Sequence, residues 1–290
     1  MISEPRKNQL AAWRKRLLQH TVSPSLLLKR VRTPRRSVQL LIAPFVDKKL
    51  TSTSTSAQSK MLAHAFQSLV LVKEDILAPF KLEVFEDHFQ IAKLGAMEEK
   101  RLGVLFDKFG SDKRSNDYDL FYEKILIDLL NRNKGDVHVF EIGLGTNNLN
   151  VPSNMGLHGK PGASLRAFCG FSKRVKVVGA DIDKRVLFQE ERIQTFFVDQ
   201  LDVSSLLELQ HIAKQSHLII DDGLHNPEAN LNVLVTYKDM MQSGSWLIIE
   251  DISPSEFNLR LWQLVQGQMH NFKSGIFELP KAYVFIAQKI

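Results

Sequence analysis

Apolar and polar positions follow two different rhythms along the chain, and the rhythm changes near residue 136. Beyond that point, short unbroken apolar runs recur, separated by stretches whose apolar residues lie three or four apart. Unbroken runs fit strands covered on both faces, and the longer spacing fits helices packed along one side. The runs predict strands over 137–142, 175–181, 194–198, 217–221 and 245–250, and helices over 162–171, 202–214, 227–242 and 255–268. Two final strands, over 275–279 and 283–288, flank Pro280-Lys281-Ala282. Strand–helix alternation predicts a parallel sheet with crossover helices, and the last two strands an antiparallel hairpin at its edge. The expected fold is α/β and Rossmann-like, with a seven-stranded, mostly parallel sheet.

Upstream the pattern is helical. Residues 61–71, 97–109 and 118–130 carry apolar positions at helical spacing, the last with Phe121, Ile125 and Leu129 on one face. A Gly110-Ser111-Asp112-Lys113 turn precedes that helix, and a polar stretch ending in Gly135 stops it. The first sixty residues differ again. Residues 10–20 fit a short basic amphipathic helix, Pro24, Pro34 and Pro44 interrupt the chain beyond it, and residues 51–59 are a low-complexity Ser/Thr linker. The organisation read from the chain is a basic, poorly ordered arm (1–60), a helical segment (61–135) and a catalytic domain (136–290).

Charge sharpens that division. The arm holds 13 of the 38 Lys and Arg but only two of the 32 acids, Glu4 and Asp47. It therefore carries +11 and the remainder −5, so the overall +6 does not imply nucleic-acid binding by the catalytic part. The arm fits a solvated extension best; an anchor on anionic membrane or a polyanionic glycan, or an Arg-rich transit peptide, are its other readings. Among 290 residues there is one cysteine, Cys169, which excludes an intrachain disulfide and suits a reducing compartment. No apolar run is long enough to span a bilayer, and the polar start lacks the apolar core of a secretory signal. The expected location is cytoplasmic, with peripheral membrane contact through the arm as the alternative; an oligomer is compatible with the sequence.

Three apolar runs end in acids. One reads Phe140-Glu141-Ile142-Gly143-Leu144-Gly145, a second Ile220-Asp221-Asp222, a third Ile249-Glu250-Asp251. Open α/β sheets bind ligands outside the carboxyl ends of their strands, and glycines let backbone approach a ligand closely. The pattern predicts a nucleoside pocket beside a cluster of carboxylates. The dinucleotide fingerprint G-x-G-x-x-G fails, because Asn148 holds the last glycine position.

Six motifs occur in order: Glu141-Ile142-Gly143-Leu144-Gly145, Pro161-Gly162-Ala163-Ser164-Leu165-Arg166, Gly179-Ala180-Asp181-Ile182-Asp183, Val198-Asp199-Gln200, Ile220-Asp221-Asp222-Gly223-Leu224-His225 and Ile249-Glu250-Asp251. Together, over residues 103–290, they resemble class I S-adenosylmethionine-dependent methyltransferases, and among them the Mg-dependent sugar O-methyltransferases of the macrocin and mycinamicin type and their relatives in bacterial polysaccharide pathways. Two features depart from that family. Arg114-Ser115-Asn116-Asp117-Tyr118 stands where a histidine is frequent, and the 146–160 loop is long.

The resemblance implies a methyltransferase fold and S-adenosylmethionine as cofactor. Glu141, Gly143 and Gly145 would hold its methionine end, with Ser164 beside them in a helix-starting position. Asp181 would accept from both ribose hydroxyls, Asp183 would lie near, and Asp199 with Gln200 would meet the adenine. Asp222, Glu250 and Asp251 would converge on Mg²⁺, whose hard character suits oxygen ligands and whose charge lowers the pKa of a bound hydroxyl. Asp221 should point away from Asp222 along an extended strand. His225 would take the acceptor's proton, imidazole being the side chain that titrates nearest neutrality. Lys113, Tyr118 and Tyr122 are set to line the pocket, and Cys169 reads as an idle buried thiol. The implied reaction is O-methylation of a sugar or glycan hydroxyl. Its rivals are a same-fold hydroxylase, for which no 2-His-1-carboxylate set is visible, and a non-catalytic module that binds polyanion or membrane through the arm.

Overall fold

The computed structural model describes residues 78–91 and 101–290. The expected arm over 1–60, the helix over 61–71 and the first residues of the helix over 97–109 lie outside the described residues. The described chain runs through β1 (Phe80–Lys81), α1 (Phe85–Phe89), α2 (Arg101–Phe109), α3 (Asp119–Arg132), β2 (Val137–Ile142), α4 (Ala163–Phe171), β3 (Val175–Asp181), β4 (Gln189–Glu190) and β5 (Ile193–Phe197). It continues through α5 (Val203–Glu208), α6 (Gln210–Gln215), β6 (Leu218–Asp221), α7 (Pro227–Tyr237), β7 (Trp246–Ile252), α8 (Glu256–Gln268), β8 (Phe272–Glu278) and β9 (Tyr283–Lys289).

The strands form one mixed sheet in the order β1-β8-β9-β7-β6-β2-β3-β5-β4. β7, β6, β2, β3 and β5 run parallel, as a Rossmann-like sheet requires. β9 is antiparallel to both β7 and β8, and a tight turn in which Leu279 N donates to Ala282 O links β8 to β9. The parallel strands are almost wholly apolar because both faces are covered. On one face Val137, Val139, Val175, Val177, Leu218, Ile220, Trp246 and Ile248 pack with α2, α3 and α4. On the other, Phe140, Ile142, Ala180, Ile219, Leu247 and Ile249 pack with α5, α6 and α7 and with Trp262 of α8.

Nine strands replace the expected seven among the described residues. The additions, β1 and β4, have two residues each, too few to leave any periodic trace. Partner strands create them: β1 lies parallel to the end of β8, within a segment read as helical, and β4 folds back on β5. The helix expected over 202–214 is two helices, broken at Leu209, whose ψ of 9° is not helical and whose side chain is buried. The helix expected over 227–242 ends at Tyr237; its start is fixed by Asn226, which caps Ala229 N, and by Pro227 in the first turn.

Candidate active site

The carboxyl ends of β2, β6 and β7 lie side by side, so the turns after them share one region of space. Gly143 makes that possible. At its φ of 101° an L side chain is strained, and a Cβ there would lie 2.0 Å from the carbonyl oxygen of Asp222. The turn after β2 thus passes directly against the turn after β6. Gly145, φ 75°, receives Met155 in the same way, with a Cβ position 2.0 Å from the Met155 sulfur. The close approaches expected of a ligand are here made to the protein's own chain. A cavity of about 310 Å³ opens beside them, and Gly143, Gly145 and Ser164 line it together with Asp222, His225, Glu250 and Asp251. A larger cavity, about 480 Å³, lies between Lys81, Phe121 and Pro280 and holds none of these residues.

The acids after β3 and β5, expected to meet ribose and adenine, do not line this cavity. Asp181 accepts from the backbone N–H of Leu144 and of Asp183, both at 2.8 Å, and so ties the glycine turn to its own strand end. Burial raises its pKa, and those backbone donors oppose the rise. Asp183 accepts from Thr146 Oγ1 at 2.6 Å and from the Arg185 guanidinium at 2.7 Å on each oxygen. The guanidinium holds its carboxyl below the usual carboxylate range. Asp199 Oδ1 accepts from Leu201 N. Gln200 donates to Asp221 Oδ1 at 2.6 Å and accepts from Leu224 N at 2.8 Å. Asp221, wholly buried, also accepts from Asn230 at 2.9 Å. These side chains are framework for the turns.

The rim after β6 and β7 is different. Successive residues of a regular strand point to opposite faces. Glu250 and Asp251 nonetheless both line the cavity, because the β7–β9 register shifts between Ile249 and Ile252 and Asp251 adopts φ 51°. Such a bulge re-aims side chains. His225 also has positive φ, 55°, a conformation uncommon for residues other than glycine and concentrated at functional sites. Its Nε2 lies 3.9 Å from both Asp222 Oδ1 and Asp251 Oδ2, while its buried Nδ1 has no hydrogen-bond partner. Asp222, His225 and Asp251 can each present one ligand atom within 4.8 Å of the others. Carboxylate oxygens so placed fit a hard divalent cation.

Glu250, expected on the cation with those two aspartates, is turned inward and is 1% exposed. Both its oxygens accept from Lys113 Nζ at 2.7 Å, and Oε1 accepts from Tyr122 at 2.5 Å. Lys113 donates to Asp222 Oδ2 at 2.7 Å and stands 3.2 Å from Glu141 Oε1, a contact too poorly aligned to be a hydrogen bond. Glu141, expected to face the ammonium of a bound methionine group, faces the ammonium of Lys113; Ser164 Oγ donates to its other oxygen at 2.8 Å. Tyr118 closes the cluster by donating to Asp251 Oδ1 at 2.6 Å. Burial would push Lys113 down, but Asp222, Glu250 and Glu141 outweigh it and keep the ammonium charged. Burial lifts the acids in turn, Glu141 to about 7, with Lys113 pulling against the rise. Glu250 is raised well above its ordinary range, by burial and by the charge of Asp222.

Of the three residues expected to line the pocket, Lys113 and Tyr118 do and Tyr122 does not, lying buried behind it on Glu250; their acid partners lie more than a hundred residues away. The roles of Arg185 and Met155 left no sequence signal.

No family model matches the chain. It is 29% identical over 161 residues to the 8-demethyl-8-alpha-L-rhamnosyl tetracenomycin-C 2'-O-methyltransferase of Streptomyces olivaceus, a match covering 55% of this chain and 38% of that protein. The chain therefore spans well under half the length of this relative. Among solved structures it is similar to the MycE methyltransferase from the mycinamycin biosynthetic pathway in complex with Mg and SAH, with 22% identity, a TM-score of 0.49, and 67% of this chain and 55% of that chain covered. The same enzyme in complex with Mg, SAH and mycinamycin VI gives 19% identity and a TM-score of 0.49 over 90% of this chain and 64% of that one. The curated relative that the sequence resembles is thus a sugar O-methyltransferase, the class to which its six ordered motifs pointed.

Proposed function

We propose that the protein is an S-adenosylmethionine-dependent O-methyltransferase that uses a divalent cation, Mg²⁺ in the first place, and acts on a hydroxyl of a sugar or glycan. The observation that carries this reading is the gathering of Asp222, His225 and Asp251 in one cavity that Gly143, Gly145 and Ser164 also line. Two aspartates with oxygens directed at a common space suit a hard cation, and an adjacent imidazole suits a base.

In this reading Gly143, Gly145 and Ser164 form the wall on which the cofactor's methionine end rests, with Glu141 behind it. Asp181, Asp183 and Gln200 serve the cofactor by holding the turns that shape its site, and Asp199 stands at the adenine end. When bound, the cofactor's sulfonium supplies the methyl group. Asp222 and Asp251 would hold the cation, with Glu250 adding charge from behind, and a divalent ion so held would supply Lewis acidity toward the acceptor hydroxyl. His225 Nε2, the ring nitrogen that faces the rim, takes the hydroxyl proton as the oxygen attacks. Tyr118 fixes the Asp251 carboxylate through Oδ1 and leaves Oδ2 facing His225.

The test is transfer of labelled methyl from S-adenosylmethionine to a panel of glycosides. Activity that a chelator abolishes and Mg²⁺ restores is expected; methylation indifferent to chelation would remove the cation from the reaction.

A further inference from the structure

We propose that Lys113 is a built-in counter-cation that competes with the divalent ion for Asp222 and Glu250, and so keeps divalent affinity weak while holding the acids together when no ion is bound. The proposal rests on the cation-dependent reading above and concerns this chain's own lysine.

The geometry points to competition. The Lys113 side chain is 2% exposed, and its Nζ lies 2.7 Å from Asp222 Oδ2 and from both oxygens of Glu250. Three carboxylates, from the ends of β2, β6 and β7, converge on that one nitrogen, and Glu141, Asp222 and Glu250 can themselves present one ligand atom each within 4.8 Å of the others. An ammonium therefore stands inside a set of oxygens that would otherwise hold a cation. Asp222 belongs to this inner set and to the outer set with His225 and Asp251. Any ion on Asp222 must share that carboxylate with Lys113 and meet its positive charge at close range, where screening is poor. The rings of Tyr118 and Tyr122 lie 5.6 and 5.9 Å from the ammonium.

The same contacts explain why the acids tolerate proximity without an ion. A buried carboxylate cluster lacking a cation would take up protons or splay apart. Lys113 pulls against both outcomes, and as a positioning residue it joins the acid beside the cofactor wall to the acids of the cation rim.

Calorimetric titration of Mg²⁺ into the full chain tests this without reference to turnover. Lys113→Met is expected to bind Mg²⁺ at least about tenfold more tightly than the wild type, the removal of a like charge from a poorly screened site being worth that much or more. Lys113→Arg, which keeps the charge, is expected to stay as weak as the wild type. Without ion Lys113→Met should melt lower than the wild type, and Mg²⁺ should recover more of that loss than it adds to the wild type. Unchanged or weaker Mg²⁺ binding by a folded Lys113→Met would overturn the proposal. So would a Lys113→Met that stays unfolded at saturating Mg²⁺, because the ion then could not take the ammonium's place. Absence of Mg²⁺ binding by the wild type and both variants would instead remove the cation-dependent reading, and this inference with it.

Discussion

The acids that end β3 and those that lie beyond β6 and at the end of β7 look alike along the chain, yet they do different work. Asp181 and Asp183 spend their oxygens on Leu144 N, Thr146, Arg185 and their own turn. Asp222 and Asp251 each keep an oxygen directed at His225 and the cavity. A strand-end acid is thus a candidate ligand only if neighbouring donors have not already claimed it. The first group builds the turns, and the second is left for chemistry. Asp221 and Asp222, adjacent in sequence, fall on opposite sides of this division, Asp221 being held by Gln200 and Asn230.

The comparison breaks most visibly at His225. His225→Ala should lower the methyl-transfer rate by about 10²–10⁴-fold, the usual worth of a positioned base. S-adenosylhomocysteine affinity and the melting temperature should stay close to wild type. An equal loss of cofactor binding would make His225 a framework residue.

A second prediction reverses the pattern. Asp221→Ala strands the buried amides of Gln200 and Asn230, each at a cost on the order of 1–3 kcal/mol. A fall of several degrees in melting temperature is expected. Once the protein is folded at low temperature, Mg²⁺ affinity should change much less than in Asp222→Ala. A stable Asp221→Ala that has lost the ion would merge the two groups.

The smallest effect concerns pH. Burial raises Glu141 from its ordinary 4.5 to about 7, so the folded state binds more protons than the unfolded one between those values. Its contribution to stability is complete below about 4.5 and is lost as pH rises through about 7. Thermal melts of the wild type should therefore lose stability from pH 5 to 7.5 relative to Glu141→Gln, which cannot titrate there. Parallel curves would place the Glu141 carboxyl in its ordinary range.

Much of the scaffold was legible in the sequence because it rests on local rules. The apolar runs placed β2, β3, β5, β6 and β7, since a strand covered on both faces needs apolar side chains throughout. What sequence could not carry was pairing over distance. β1 exists only because β8 is there to bond it, and the β7 bulge that turns both Glu250 and Asp251 into the cavity depends on the register with β9. The adjacency of two acids at a strand end, with Asp222 beyond the neighbouring strand, suggested three ligands on one ion. The structure places Lys113 on Glu250, and the chain position of Lys113, 137 residues away, says nothing of the contact. Met155 against Gly145 is likewise invisible until the long 146–160 loop folds over the glycine turn.

The central claim is that Asp222 and Asp251 hold a divalent ion beside His225 and the cofactor wall. Calorimetric titration of Mn²⁺, in the presence of S-adenosylhomocysteine, into the wild type and Asp251→Asn tests it most directly. Saturable binding of one ion by the wild type is expected, with a loss of at least about tenfold in affinity in Asp251→Asn. No binding by the wild type, or undiminished binding by Asp251→Asn, would contradict it.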